Sequence, residues 1–125
     1  MRTKTLGDVG ENAVTNYLQN KGYSILARNF RYGRFAEIDI IAEIGDTIVF
    51  VEVKTRRSNK FGMPAEAVTL QKQQKIITAA TKFIQDNELY DKACRFDVVE
   101  VFEINSDGNI SYKINQIPNA FEVMS

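Results

Sequence analysis

Apolar positions along the chain recur at two periods, and the alternation between them lays out the elements. From Asp8 to Asn20, Ala13, Val14, Tyr17 and Leu18 share one stripe at helical spacing, with Asp8 placed to cap the helix and Gly22 to stop it. Tyr23 to Arg31 reads as a strand, followed by Tyr32-Gly33. Glu37 to Ile44 and Thr47 to Lys54 are stronger strand patterns, and Thr55 to Pro64 reads as a polar, basic loop. Thr69 caps a second helix whose inward stripe is Gln73, Ile76, Ile77, Ala80, Phe83 and Ile84. Arg95 to Ile104 and Asn109 to Asn115 are strands around the turn Ser106-Asp107-Gly108-Asn109, and the apolar tail Ile117-Pro118-Asn119-Ala120-Phe121 covers its own domain. The order α-β-β-β-α-β-β predicts one mixed α/β domain over residues 1–125, a central mixed five-stranded sheet flanked by helices.

The two strong strands are separated only by a tight turn. Gly45-Asp46 suits a type II′ loop, because glycine takes the first, positive-φ position. Ile44 then pairs with Thr47, which sets Asp39 opposite Glu52 and Glu37 opposite Lys54. Side chains alternate along a strand, so this register puts all four on one face. Facing carboxylates destabilise a ladder on their own; a divalent cation between them removes the conflict. Glu52 and Lys54 also end the run Ile48-Val49-Phe50-Val51, which reads as a central strand buried on both faces. The plain alternative is a charged strand end at the rim of the sheet, with Glu37 and Lys54 as a cross-strand ion pair.

Composition narrows the chemistry. The 125 residues include no histidine and one cysteine, Cys94. That excludes Ser-His and Cys-His triads, imidazole acid–base chemistry, His-ligated zinc and an internal disulfide. A metal held by this chain is held by oxygen, which selects Mg²⁺ or Mn²⁺. No apolar run approaches the roughly 18 residues of a membrane span, and the basic start has no apolar segment after it, so the expected setting is cytoplasmic, without a membrane. Net charge is zero, but residues 1–85 hold 13 Lys/Arg against 8 Asp/Glu and residues 86–125 hold 3 against 8. The uneven split suggests one electropositive side with a polyanion, such as nucleic acid, as one candidate partner; an acidic, solvated edge is the plain alternative.

The stretches Phe35-Ala36-Glu37-Ile38-Asp39, Val51-Glu52-Val53-Lys54-Thr55-Arg56 and Phe61-Gly62-Met63-Pro64-Ala65-Glu66-Ala67-Val68, with Gly10-Glu11 and Gly22-Tyr23, resemble the YraN family of nuclease-like proteins. The resemblance runs to about Ile84. That family is grouped with the restriction-endonuclease-like PD-(D/E)xK superfamily, to which archaeal Holliday-junction resolvases also belong. The resemblance implies a restriction-endonuclease-like core that cuts phosphodiesters with Mg²⁺. It implies Asp39 and Glu52 as metal-binding acids, Lys54 as the motif lysine, Glu11 as an additional helical carboxylate and Gln73 as a helix glutamine beside the site. Ile38 stands where the motif has proline, and Ala36 where glycine is expected. Helical spacing places Glu11 three residues before Val14 and Gln73 three before Ile76, on or beside the inward stripes. A dipole-favoured acid near a helix start and a glutamine bonded to backbone are the plain alternatives.

The expected activity is metal-assisted hydrolysis of nucleic-acid phosphodiesters, with DNA, including branched or repair intermediates, as the substrate. Asp39, Glu52 and the carbonyl of Val53 hold the metal, Lys54 acts on the attacking water or the charged transition state, and Glu37 orients Lys54 or joins the outer shell of the metal. Arg56, Arg57 and Lys60 grip flanking phosphates, and Arg28, Arg31 and Arg34 extend that track. Resolvase-like enzymes act as dimers, so the resemblance implies a homodimer. A non-catalytic nucleic-acid-binding or adaptor module is the rival reading, and a small-molecule phosphohydrolase, which fits the basic loop less well, is a third.

Overall fold

The computed structural model describes residues 6–57 and 68–122. Along them run α1 (Leu6–Asn20), β1 (Ser24–Tyr32), β2 (Ala36–Ile44), β3 (Thr47–Arg57), α2 (Leu70–Asp86), β4 (Ala93–Ser106) and β5 (Asn109–Phe121). The strands lie in chain order in one sheet. Every neighbouring pair is antiparallel except β3–β4, which is parallel and joined by the α2 crossover. This is the mixed α/β architecture the sequence predicts.

β3 is the central strand, and its side chains alternate between two cores. Ile48 and Phe50 pack with Ile76, Ala79, Ala80 and Phe83 of α2. Val49 and Val51 pack with Val14 and Leu18 of α1. A strand covered on both faces needs apolar side chains at every position, hence the unbroken Ile48–Val51 run. The Phe83 ring meets Phe50 and Phe30 edge-on, at centroid distances of 6.4 and 5.2 Å.

Local signals held where they rested on backbone chemistry. Gly45 takes φ 57 at the β2–β3 turn and Gly22 takes φ 94 after α1. The Thr69 hydroxyl accepts from Lys72 N–H at 3.1 Å and caps α2. Four expectations need correction. α1 begins at Leu6, so Asp8 lies in its first turn instead of capping it, where its charge still suits the helix dipole. β3 runs to Arg57, because parallel pairing continues through Thr55↔Val101 to Arg57↔Glu103; Thr55 to Arg57 are therefore strand, and the rest of the expected loop, to Pro64, lies outside the described residues. β4 begins at Ala93 and so includes Cys94. β5 extends to Phe121, so the apolar tail is the end of a strand: Ile117 pairs with Val98, and Phe121 stacks on Phe96 at 4.9 Å. Pro118 is tolerated because β5 is an edge strand with a register shift at that point.

Candidate functional site

The β2–β3 ladder keeps the predicted register from Ile44↔Thr47 to Ile40↔Val51 and then stops. Both strands continue, β2 beside β1 as far as Tyr32↔Ala36 and β3 beside β4 as far as Arg57↔Glu103. The expected pairs Asp39–Glu52 and Glu37–Lys54 therefore do not form; the sheet forks there instead. The cause is a roll of β2. Ile38 packs in the α2-side core and Ile40 in the α1-side core, although residues two apart on a regular strand share a face. Beside this roll, Asn29 of β1 takes φ 53, between the pairs Arg28↔Ile40 and Phe30↔Ile38.

The roll turns Asp39 into the mouth of the fork. Its Oδ2 accepts the Val53 N–H at 2.8 Å, a donor left open where the ladder ends. The N–H and C=O of one extended residue point to the same side of a strand, so the Val53 carbonyl also faces the fork. Glu52 is only 8% exposed and lies on the α2 side of β3. Its Oε1 is 3.7 Å from Lys72 Nζ, and its carboxyl lies beside that of Asp39.

Two buried acids in contact cannot both stay ionised without help. Burial, and then the charge of Asp39, push Glu52 up to about 7, against the pull of Lys72 and Lys54. Asp39 is also raised, by burial first, while the Val53 N–H and Lys72 favour its charged form and Glu37 opposes it. The two acids titrate as one unit, and the pair binds a proton up to about pH 7.

This state links stability to pH. The folded-state pKa of Glu52 lies above its ordinary value of 4.5, so the proton is bound by the folded chain and lost by the unfolded one between pH 4.5 and about 7. The contribution is full below pH 4.5, falls as pH rises through that window and is flat above it, by about 3 kcal/mol in all. In chelator, the urea midpoint of the wild type is expected to fall between pH 5 and 7.5 relative to Glu52→Gln; parallel curves would contradict the shared proton.

Other expected residues divide between the site and local duties. Glu11 faces Asp39 from α1: burial and then the Asp39 charge raise its pKa, while Arg28, 3.5 Å away, opposes them. α1 comes this close to β3 because residue 10 is glycine; a Cβ there would collide with Thr55 Oγ1. Lys54, on the same side of β3 as Glu52, favours the ionised form of that acid. Glu37 pairs with Arg31 of β1 at 3.5 Å, so its contact is with that strand, and its charge still reaches Asp39. Gln73 donates to the Val68 carbonyl at 2.8 Å, the backbone duty weighed as its plain alternative. Arg56 turns to buried Glu100, with Nε 3.3 Å from Oε2. Arg34 stands in the β1–β2 turn. Lys60 and the Arg57 side chain lie outside the described residues.

Lys72 is the site residue that sequence reading missed. A signal was present: it occupies the first turn of α2, three residues after the Thr69 cap, where a glutamate would complete a capping box and a cation opposes the helix dipole. A lysine there calls for an anionic partner, and Glu52 is that partner. Among the described residues, no group of three or more Asp, Glu, Cys or His stands ready to hold an ion. The site is two carboxyls, a carbonyl and two lysines.

Residues 10–101 match the model of the uncharacterised protein family UPF0102. The chain is 46% identical over 121 residues to a UPF0102 protein of Clostridioides difficile (strain 630), covering 97% of this chain and all of that one. It is 48% identical over 121 residues to a relative in Caldicellulosiruptor saccharolyticus and 50% over 126 to one in Caldicellulosiruptor bescii, with the same coverage.

Proposed function

Since the chain belongs to the uncharacterised family UPF0102, the YraN family of its sequence motifs, its activity has to be read from its own site, and we propose that it is a Mg²⁺- or Mn²⁺-dependent nuclease acting on DNA. One observation carries the reading: Asp39 and Glu52 are forced together, largely buried, at a break in the sheet. Such a pair is costly for a fold and is repaid by a cation.

The donor set fits a hard ion. Mg²⁺ is usually held by one or two carboxylates, with water and substrate phosphate completing the shell. Two carboxylates and the Val53 carbonyl match that partial shell, which is why no three-acid cluster is needed. Bound there, the ion would neutralise the scissile phosphate and acidify a water.

The chain's own groups divide the remaining work. Asp39 is fixed by the Val53 N–H and therefore presents its other oxygen to the fork. Glu52 would hold the cation as a carboxylate, its proton passing to solvent. Lys54 and Lys72 set positive charge beside Glu52, placed to meet the charge that develops on a phosphate. Glu11, on the α1 side, can turn a water or join the outer ring of ligands.

The test is cleavage of a panel of duplex, single-stranded and branched DNA and RNA with Mg²⁺ or Mn²⁺. Metal-dependent cutting of a DNA member, lost in chelator, is the expected result. No cutting of any member with either ion would overturn the nuclease reading and leave the binding-module reading.

A further inference from the structure

The β1–β2 turn carries two aromatic rings on the surface. Phe35 is 72% exposed and Tyr32 is 46% exposed. Each ring has a lysine of α2 over it, with Lys75 Nζ 5.6 Å from the Phe35 centroid and Lys82 Nζ 5.7 Å from that of Tyr32. Lys72, Lys75 and Lys82 lie along one side of α2, at spacings of three and seven residues over roughly 15 Å. The row starts at the carboxyl pair, where Lys72 meets Glu52, and passes both rings. Beside Tyr32 an open groove of about 280 Å³ is lined by Thr78, Thr81, Lys82 and Gln85.

A ring left in water with a cation beside it serves no packing purpose. It does match a nucleotide, whose base is flat and apolar and whose phosphate is anionic. Glu37, Asp86 and Glu52 are the acids nearby, and each is paired, with Arg31 at 3.5 Å, with Lys82 at 2.9 Å and with Lys72 at 3.7 Å. Arg34 and Lys75 have no carboxylate partner among the described residues, so the patch keeps a positive balance. Phe35 lies four residues before Asp39, about 13 Å along an extended strand. A strand crossing the fork would reach these rings within a few nucleotides.

We propose that Phe35 and Tyr32, with the Lys72–Lys75–Lys82 row, form a stacking platform for unpaired bases next to the phosphate held at the fork. This rests on the nuclease reading and adds a substrate class: nucleic acid with a single-stranded segment beside the cut.

The chain has no tryptophan, so Phe35→Trp places a single tryptophan on the platform, excited selectively over the tyrosines. In chelator, with no cleavage, an oligothymidylate of about 12 nucleotides quenches the introduced tryptophan, and an abasic strand with the same number of phosphates does not. Phe35→Ala weakens binding of the oligothymidylate about tenfold and leaves the abasic strand unaffected. Equal quenching by both strands, no quenching by either, or unchanged affinity in Phe35→Ala would each overturn the platform. The wild type assayed with Mg²⁺ on the same thymidylate, and on branched DNA, separates the two readings. Stacking without cleavage of any substrate sinks the nuclease and keeps the platform; cleavage without base-dependent binding does the reverse.

Discussion

Asp39→Asn and Glu52→Gln are expected to lose metal-dependent cleavage by at least about a hundredfold while the chain stays folded. Each substitution keeps the side-chain volume and removes a carboxyl that could ligate a cation as a carboxylate. Asp39→Asn retains an oxygen for the Val53 N–H, so the fork keeps its backbone tie. Glu52→Gln removes the proton-sharing conflict, so its stability above pH 7 should rise. The two readouts therefore move in opposite directions: activity collapses and resistance to urea holds or improves. Loss of activity through misfolding would lower both, and undiminished cutting by both variants would remove Asp39 and Glu52 from the mechanism.

Asp97→Ala is expected to destabilise the fold by about 2–4 kcal/mol, read from urea unfolding, because it removes a fully buried acceptor from three half-buried or exposed donors. Asp97 is 0% exposed. It accepts from Arg95 Nε at 3.0 Å, Gln116 Nε2 at 2.9 Å and Asn119 N–H at 3.1 Å. The last bond closes the β4–β5 register shift between Phe96 and Val98. A cost under about 1 kcal/mol would mean that water replaces those bonds freely.

The two aspartates share a backbone task, since each accepts an N–H where a ladder is interrupted. Their surroundings separate them. Asp97 is matched by a guanidinium and an amide, a complete arrangement. Asp39 is set against another acid. A sheet can repair a gap with a paired aspartate, as β4–β5 does, so repair does not explain the crowding of Asp39 with Glu52. That contrast is the strongest structural support for a cation at the fork.

Sequence reading reached the hairpin register because Gly45 fixes the turn and the turn fixes every pair beyond it. It reached the central position of β3 because a doubly covered strand must be apolar throughout. It missed the fork, since the roll at Asp39 arises from Ile38 and Ile40 choosing opposite cores, and alternation of apolar residues describes strands that do not roll. The lengths of β3 and β5 were hidden for related reasons. Arginine at the end of β3 and Pro118 within β5 read as punctuation until the neighbouring β4 strand supplies their pairing. Asp39 and Glu52 were legible from strand spacing. Lys72 was legible only as an anomaly of helix capping, and the local duty of Gln73 depends on where Val68 lies.

The fork also bears on how the chain folds. Asp39 and Glu52 belong to one short hairpin, whereas the parallel β3–β4 pairing waits for the α2 crossover, a slow, non-local closure. In the unfolded chain water reaches both acids, and above about pH 5 both are charged. Burial, the largest cause of the raised Glu52 pKa, arrives only as the helices dock. At mildly acidic pH folding therefore takes up a proton from solvent, and the native chain carries one negative charge fewer than the unfolded one.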